Sequence, residues 1–201
     1  MDPAMPDRPH ICVFCGSSRG ANPAFVEAAR AVGTSLATRG IGLVYGGGRV
    51  GLMGEVADAT LTAGGRVVGV IPEALSLKEI SHEGLTELHV VRGMHERKAL
   101  MAARPSAFLT LPGGIGTYEE FFEILTWAAL GLHRRPIAVL NIAGYFDPLL
   151  ALLDAAVDQR FLRPEHRRQI LVLSDPHDAV DQLLTHVPED AGPIWKDLEQ
   201  S

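Results

Sequence analysis

Short apolar bursts alternate with longer stretches of helical periodicity along almost the whole chain. The bursts fall at residues 10–15, 41–45, 66–71, 107–111, 137–140 and 170–173. Between them, apolar positions recur with helical spacing over 23–38, 51–62, 94–103, 117–130, 145–159 and 176–184. Asn22 is placed to cap the first helix with Pro23 at its first position, and Gly40 closes it. Gly64 and Gly65 stop the second helix, and Gly131 ends the one over 117–130. The least periodic stretch is 72–91, within which 86–91 reads as a strand or an extended crossover. The bursts are nearly continuous in apolar residues, the pattern of strands buried on both faces of a parallel sheet. Strands separated by helices give βαβ units. The expected fold is α/β: a single doubly wound domain over residues 9–187, with a mainly parallel sheet, helices on both faces, and loose ends at 1–8 and 188–201.

Composition sharpens this picture. A chain of 201 residues with 47% hydrophobic and 21% charged positions is long enough for one sizeable core. Glycine stands at 21 positions, about one residue in ten against a usual share of about 7%. The glycines have no collagen-like period, so the excess belongs in turns or where something approaches the backbone closely. A net charge of -6 argues against non-specific binding to nucleic acid. No apolar run spans a membrane and the N-terminus lacks a signal-peptide core, so a cytoplasmic location is expected. Cys12 and Cys15 have C-x-x-C spacing, but Cys12 lies inside a strand, where an offset of three sends two side chains to opposite faces. No further Cys or His clusters with them, so they read as buried structural thiols.

Three loops at expected strand ends carry unusual residues: Gly16-Ser17-Ser18, Gly46-Gly47-Gly48, and the run from Pro112 through Gly113, Gly114, Ile115 and Gly116 to Thr117. In a doubly wound sheet these ends face the ligand crevice. Gly46, Gly48 and Gly51 fit the dinucleotide pattern G-x-G-x-x-G, with Glu73 available as a ribose-binding acid. That pattern follows the second strand instead of the first, so an NAD(P)-dependent oxidoreductase is an alternative of low weight. The 112–117 run is more informative. Three glycines in four positions uncover backbone N–H groups just before a helix, an arrangement that cradles phosphate. No Gly-Lys-Ser/Thr follows, so it is not a Walker A loop. Thr117 and Glu120 have capping-box spacing, which leaves two roles open for Glu120: helix cap, or carboxylate facing a ligand. Glu119 and Glu123 are neighbouring alternatives, both also favourable to the helix dipole. Upstream, Met94-His95-Glu96-Arg97-Lys98 sets two adjacent cations early in a helix, against the dipole, a placement that asks for a reason. His95 has no partner in sequence to orient it, and no Ser-His-Asp elbow or metal-ligand cluster accompanies these loops. Neither metal nor cofactor is expected.

The residues 112–120 match P-G-G-x-G-T-x-x-E, and 94–98 match its partner motif M-H-x-R-K. With V-F-C-G-S-S at 13–18, Y-G-G-G at 45–48 and T-W-A-A-L-G at 126–131, the chain from Ile11 to about Leu184 resembles the "Lonely guy" family. These are cytokinin riboside 5'-monophosphate phosphoribohydrolases, often labelled lysine decarboxylases. The resemblance implies a Rossmann-like catalytic domain that binds a nucleotide monophosphate, and a homodimer with its site near the interface. It implies hydrolysis of the N-glycosidic bond of N6-modified adenosine 5'-monophosphates, with AMP a further substrate, giving free base and ribose 5-phosphate. Arg97 and Glu120 become the catalytic pair. Substrate and phosphate contacts fall to Gly16, Ser17, Gly46, Gly47, Gly48, Met94, Lys98 and Gly113, and to Gly114, Ile115, Gly116, Thr117, Tyr118 and Glu119. Thr126 matches a further contact position, and Glu79 does so through the looser match Leu77-Lys-Glu-Ile80. A non-catalytic nucleotide-binding protein would keep the glycine loops and tolerate loss of Glu120.

Overall fold

The computed structural model describes residues 9–76, 81–192 and 194. Its strands are β1 (His10–Phe14), β2 (Gly42–Tyr45), β3 (Val67–Pro72), β4 (Glu87–Val91), β5 (Ala107–Thr110), β6 (Ile137–Leu140) and β7 (Ile170–Leu173). The helices are α1 (Ala24–Thr38), α2 (Gly51–Thr62), α3 (Glu73–Ser76), α4 (Met94–Ala103), α5 (Ile115–Ala129), α6 (Asp147–Asp158), α7 (Pro164–Arg168) and α8 (Ala179–Thr185). The strands form one seven-stranded sheet in the order β4-β3-β2-β1-β5-β6-β7, and every pairing is parallel. Register is set by pairs such as Cys12 with Val44 on one side of β1 and Cys12 with Phe108 on the other.

Alternation along the strands splits the core into two layers. Ile11, Val13, Leu43 and Leu109 face the side covered by residues of α1, α2 and α8, including Val32, Val56 and Val180. Cys12, Phe14, Val44 and Phe108 face the other side, covered by residues of α4, α5 and α6, including Met101, Phe121 and Leu153. Cys12 and Cys15 therefore lie in opposite layers, both free and both buried. Burial drives both thiols to hold their protons, raising each pKa, with Glu120 adding to the effect.

Several local features depart from the sequence reading. Pro23 sits at the N-cap of α1, one residue before the helix, while Asn22 Oδ1 accepts from the Ala24 N–H at 3.0 Å. Among its described residues, the unpatterned stretch holds the single turn α3 and, of the two alternatives open for 86–91, the strand β4. Lying at the sheet edge, β4 alternates: Val91 is buried while Leu88 and Val90 are exposed. Of the expected C-terminal tail, residues 188–192 lie against the body. Arg168 reaches Glu189 at 3.0 Å, Arg134 reaches Asp190 at 3.1 Å, and Arg163 donates to the carbonyls of Ala191 and Gly192.

Helices α1 and α2 approach closely at Gly33. A Cβ there would lie 2.5 Å from the Val56 carbonyl oxygen and 2.9 Å from the Ala59 Cβ. Gly to Ala inside a helix ordinarily stabilises by about 1 kcal/mol. Here the contact is with backbone, so the sign reverses. Gly33→Ala is expected to lower the unfolding free energy by about 1–3 kcal/mol in urea titration, and a neutral or stabilising result would contradict this packing.

Candidate active site

The chain leaves β1 for β2 on one side and enters β5 on the other, so strand order reverses between β1 and β5. Loops that diverge at such a point leave a crevice beyond the strand ends. A cavity of about 270 Å³ lies there, lined by Gly16, Ser17, Pro112, Gly113 and Gly114, with Phe25 and Tyr145 from other elements. The Gly16 N–H donates to the Pro112 carbonyl at 3.0 Å, and a Cβ on Gly16 would lie 3.1 Å from the Gly113 Cα. The two glycine loops thus touch across the switch point, and the Gly16 donor is spent inside the protein.

The open donors belong to α5. This helix starts at Ile115, two residues before the expected position, with Gly114 extended at the N-cap (φ -98°, ψ -155°) and no side chain capping it. Thr117 consequently lies inside the first turn, buried, and of the two roles open for Glu120 the capping box does not form. A Cβ on Gly113 would fall 2.1 Å from Thr117 Oγ1, so the glycine lets Thr117 fold down onto the loop. Gly114 and Gly116 have nothing within 4 Å of the place a Cβ would occupy. Uncapped N–H groups, open space and the positive end of a 15-residue helix together suit an anion.

Arg97 and Glu120 meet beside this loop. On α4, Arg97 and Met101 are buried with the i, i+4 spacing of one helix face. On α5, Glu120 shares the buried face with Thr117, Phe121 and Ile124. Each charge thus occupies a position that its helix would otherwise give to an apolar residue. Arg97 Nη1 lies 2.8 Å from Glu120 Oε1, with the two residues 9% and 7% exposed. Arg97 Nε also donates to the Val70 carbonyl at 3.1 Å, within β3. A Cβ on Gly46 would stand 2.1 Å from Arg97 Nη2, so the first glycine after β2 makes room for the guanidinium. Burial raises the Glu120 pKa, and the opposing pull of Arg97 only partly offsets it.

Lys98 turns the other way and joins the two helices. It pairs with Glu119, and with Glu123 at 2.9 Å. Desolvation opposes its charge, but the two carboxylates outweigh that effect and raise its pKa. Met94 and His95 are exposed at the start of α4. Gly47, at φ +74°, packs on Val70 and Ile71, and its carbonyl accepts from the His82 N–H at 3.0 Å. Gly48 bridges Ser81, and Gly51, at φ +62°, lies against the backbone of Ser17 and Ser18. The glycines of the dinucleotide-like pattern serve close packing one strand away from the switch point, and Glu73 is exposed at the start of α3. Thr126 is exposed, donating to the Phe122 carbonyl at 2.6 Å. It lies six residues beyond Glu120, about 9 Å along the helix axis, and is not brought to the pair. Glu79 lies outside the described residues.

The sequence reading missed Phe25 and Tyr145. Tyr145 follows β6, whose carboxyl end also faces the crevice, but it read as the first residue of a helix. Instead α6 starts at Asp147, after a tight 3-10 turn at Ile142–Gly144 in which Ala143 has φ 52°. Tyr145 donates its hydroxyl to the Gly113 carbonyl, and Tyr118 lies 2.8 Å from the Tyr145 hydroxyl. Among the described residues, no three His, Cys, Asp or Glu side chains converge to hold a metal ion.

Residues 53–183 match the family model described as "Possible lysine decarboxylase". The chain is 45% identical over 188 residues to the cytokinin riboside 5'-monophosphate phosphoribohydrolase LOG of Oryza sativa subsp. japonica, covering 93% of this chain and 78% of that protein. It is 48% identical over 178 residues to the cytokinin riboside 5'-monophosphate phosphoribohydrolase of Rhodococcoides fascians, covering 88% of this chain and 90% of that one. Among solved structures, the molybdenum cofactor binding protein of Rippkaea orientalis superposes with a TM-score of 0.68. That comparison covers 88% of this chain and 96% of that one at 20% identity, a likeness of fold alone.

The buried pair gives a pH-dependent stability test. Arg97→Met leaves Glu120 without its counter-charge, which is expected to cost about 3–5 kcal/mol at neutral pH. Because the folded-state pKa of Glu120 is raised, stability is lost as pH rises from the unfolded-state value through the folded-state one. Removing Arg97 raises the folded value further. The deficit of the variant should therefore be largest at neutral pH and shrink toward about pH 4, where the carboxyl is protonated. Urea titrations at both pH values measure it, and a deficit independent of pH would be inconsistent with an ionised Glu120 in the parent.

Proposed function

The chain belongs to the family of cytokinin riboside 5'-monophosphate phosphoribohydrolases, and from that premise we propose how its own residues carry out the reaction. The protein hydrolyses the N-glycosidic bond of cytokinin riboside monophosphates, releasing the N6-modified base and ribose 5-phosphate. The observation that carries this reading is the Arg97–Glu120 pair, buried beside an uncapped glycine-rich helix start.

The substrate phosphate sits at the N-terminus of α5, where the N–H groups around Gly114 and Gly116 supply donors without a side chain in the way. This fixes the ribose so that its anomeric carbon lies over Glu120. As the bond to the base lengthens, positive charge grows on the sugar, and the carboxylate stabilises it. Glu120 also orients and deprotonates the attacking water; burial makes it a stronger base than an exposed carboxylate. Arg97 stays charged throughout, so it holds Glu120 and binds the substrate and does not give up a proton. Water adds its oxygen to the anomeric carbon, the glycosidic electron pair leaves with the base, and the base takes up a proton.

Three features support finer points. Lys98 is the one lysine among the described residues, and two carboxylates hold it charged. Pyridoxal-phosphate chemistry needs a lysine free to form a Schiff base, so these residues do not fit that cofactor despite the decarboxylase description. A homodimer belongs to the same proposal, with Thr126, exposed and away from the pair of its own subunit, turned toward the site of a second one. No described helix is long and apolar enough to cross a membrane, and the net charge is -6, which supports a cytoplasmic protein acting on a small molecule with neither nucleic acid nor membrane as partner.

Base release from N6-isopentenyladenosine 5'-monophosphate, AMP and N6-isopentenyladenosine, followed by chromatography, tests the reading. Free base is expected from the phosphorylated, N6-modified compound, with little from the compound lacking phosphate. Glu120→Gln should fold and lose about 10²–10⁴-fold in kcat; undiminished turnover would remove Glu120 from the mechanism. The acid limb of the kcat/KM profile should lie above the ordinary carboxylate range, because a raised pKa keeps Glu120 protonated, and inactive as a base, to higher pH. An acid limb at or below that range would mean another group limits the reaction.

A further inference from the structure

The loop that receives the phosphate has a weak point in its design. Gly113 and Gly114 flank a peptide unit with no Cβ on either side, so rotation of that unit meets little steric resistance. In a trans peptide the carbonyl of one residue and the N–H of the next point to opposite sides. If the Gly113–Gly114 peptide turns over, the Gly114 N–H leaves the anion position and a carbonyl oxygen takes its place. Binding then requires something to hold the Gly113 carbonyl.

Tyr145 does so. Its hydroxyl donates to the Gly113 carbonyl oxygen across a separation of 32 residues. A phenol has one proton, which Tyr145 commits to that carbonyl, so in the contact at 2.8 Å the Tyr118 hydroxyl is the donor and Tyr145 the acceptor. The result is an ordered chain from Tyr118 through Tyr145 to Gly113, each bond polarising the next. The ring of Tyr145 is itself held. It meets Phe25 edge-on at 5.4 Å and Phe146 edge-on at 5.1 Å between centroids. Its backbone is fixed by Asn141, whose Oδ1 accepts from the Phe146 N–H and whose Nδ2 donates to Asp147 Oδ1, both at 2.7 Å.

We infer that Tyr145 is a positioning residue for the phosphate site: it latches the Gly113 carbonyl, with Tyr118 as its support, and so keeps the Gly114 N–H turned toward the phosphate. This rests on the phosphate lying at the start of α5, as proposed above. Tyr118 thereby acts through the latch, where the family motif alone counts it among the substrate contacts.

Tyr145→Phe retains the ring and its packing against Phe25 and Phe146 and removes only the hydroxyl. Loss of one such hydrogen bond corresponds to roughly a two- to tenfold change in affinity. The variant is expected to raise KM for N6-isopentenyladenosine 5'-monophosphate, and the inhibition constant of ribose 5-phosphate, by that same factor. Its kcat should stay within about twofold of the parent, the signature of lost ground-state binding. A role limited to packing would instead lower the melting temperature or kcat and leave both binding constants alone, and that result overturns the latch. Gly114→Ala is measured alongside, since its methyl enters open space in a backbone conformation alanine adopts. If Gly114→Ala weakens ribose 5-phosphate and Tyr145→Phe does not, the latch alone falls. If Gly114→Ala leaves ribose 5-phosphate binding unchanged, the phosphate lies elsewhere and both readings fall.

Discussion

Two opposite charges buried side by side constrain everything around them. Taking a guanidinium and a carboxylate out of water costs several kcal/mol for each, and only good geometry and further hydrogen bonds offset it. The Arg97–Glu120 pair meets those conditions through parts drawn from four elements. α4 and α5 bring the side chains to 2.8 Å, β3 supplies the Val70 carbonyl, and Gly46 after β2 vacates the space the guanidinium fills. Lys98 with Glu119 and Glu123 fastens the two helices on their outer side, so the residue next to Arg97 maintains the approach that the pair needs. An apolar pair at these positions would pack more easily. The charged one is accounted for by the chemistry proposed for it at a sugar carbon.

The glycine-rich loops divide the remaining work. Those after β1 and β5 close against each other at the switch point, and those after β2 pack on β3 and on residues 17–18. Gly114 and Gly116, at the start of α5, instead face open space. In the proposed mechanism phosphate binding thus falls to one helix terminus, and the other glycines set the distances that put this terminus beside the acid. That proposal assigns anchoring and bond-breaking to consecutive turns of a single helix, with Gly114 at its cap and Glu120 at its sixth residue.

Much of this was legible in the sequence, because buried parallel strands announce themselves as short apolar runs and the helices between them as spaced ones. Six of the seven strands and the span of α2 and α4 follow from that pattern alone. Arg97 stood out because a cation early in a helix opposes the dipole; burial opposite a carboxylate supplies the reason. Other features needed three dimensions. Thr117 and Glu120 have capping-box spacing, yet the helix begins earlier, at Ile115, with Gly114 extended at its cap and no side chain bonded there. Tyr145 carried no local signal, because its partner is 32 residues away and its backbone depends on a left-handed turn at Ala143 that no propensity favours. β4 was ambiguous for a different reason: an edge strand covered on one face alternates, and so loses the continuous apolar run that marked the others.

The two cysteines, one residue before the crevice loop and one deeper in β1, invite a regulatory reading that their surroundings cancel. They occupy opposite layers of the sheet, with the sheet itself between their side chains, and burial keeps both as neutral thiols. Neither can reach the other to form a bridge, and neither offers a thiolate to an oxidant. Two sulfurs beside the proposed catalytic centre are thus withheld both from each other and from the reactive thiolate form.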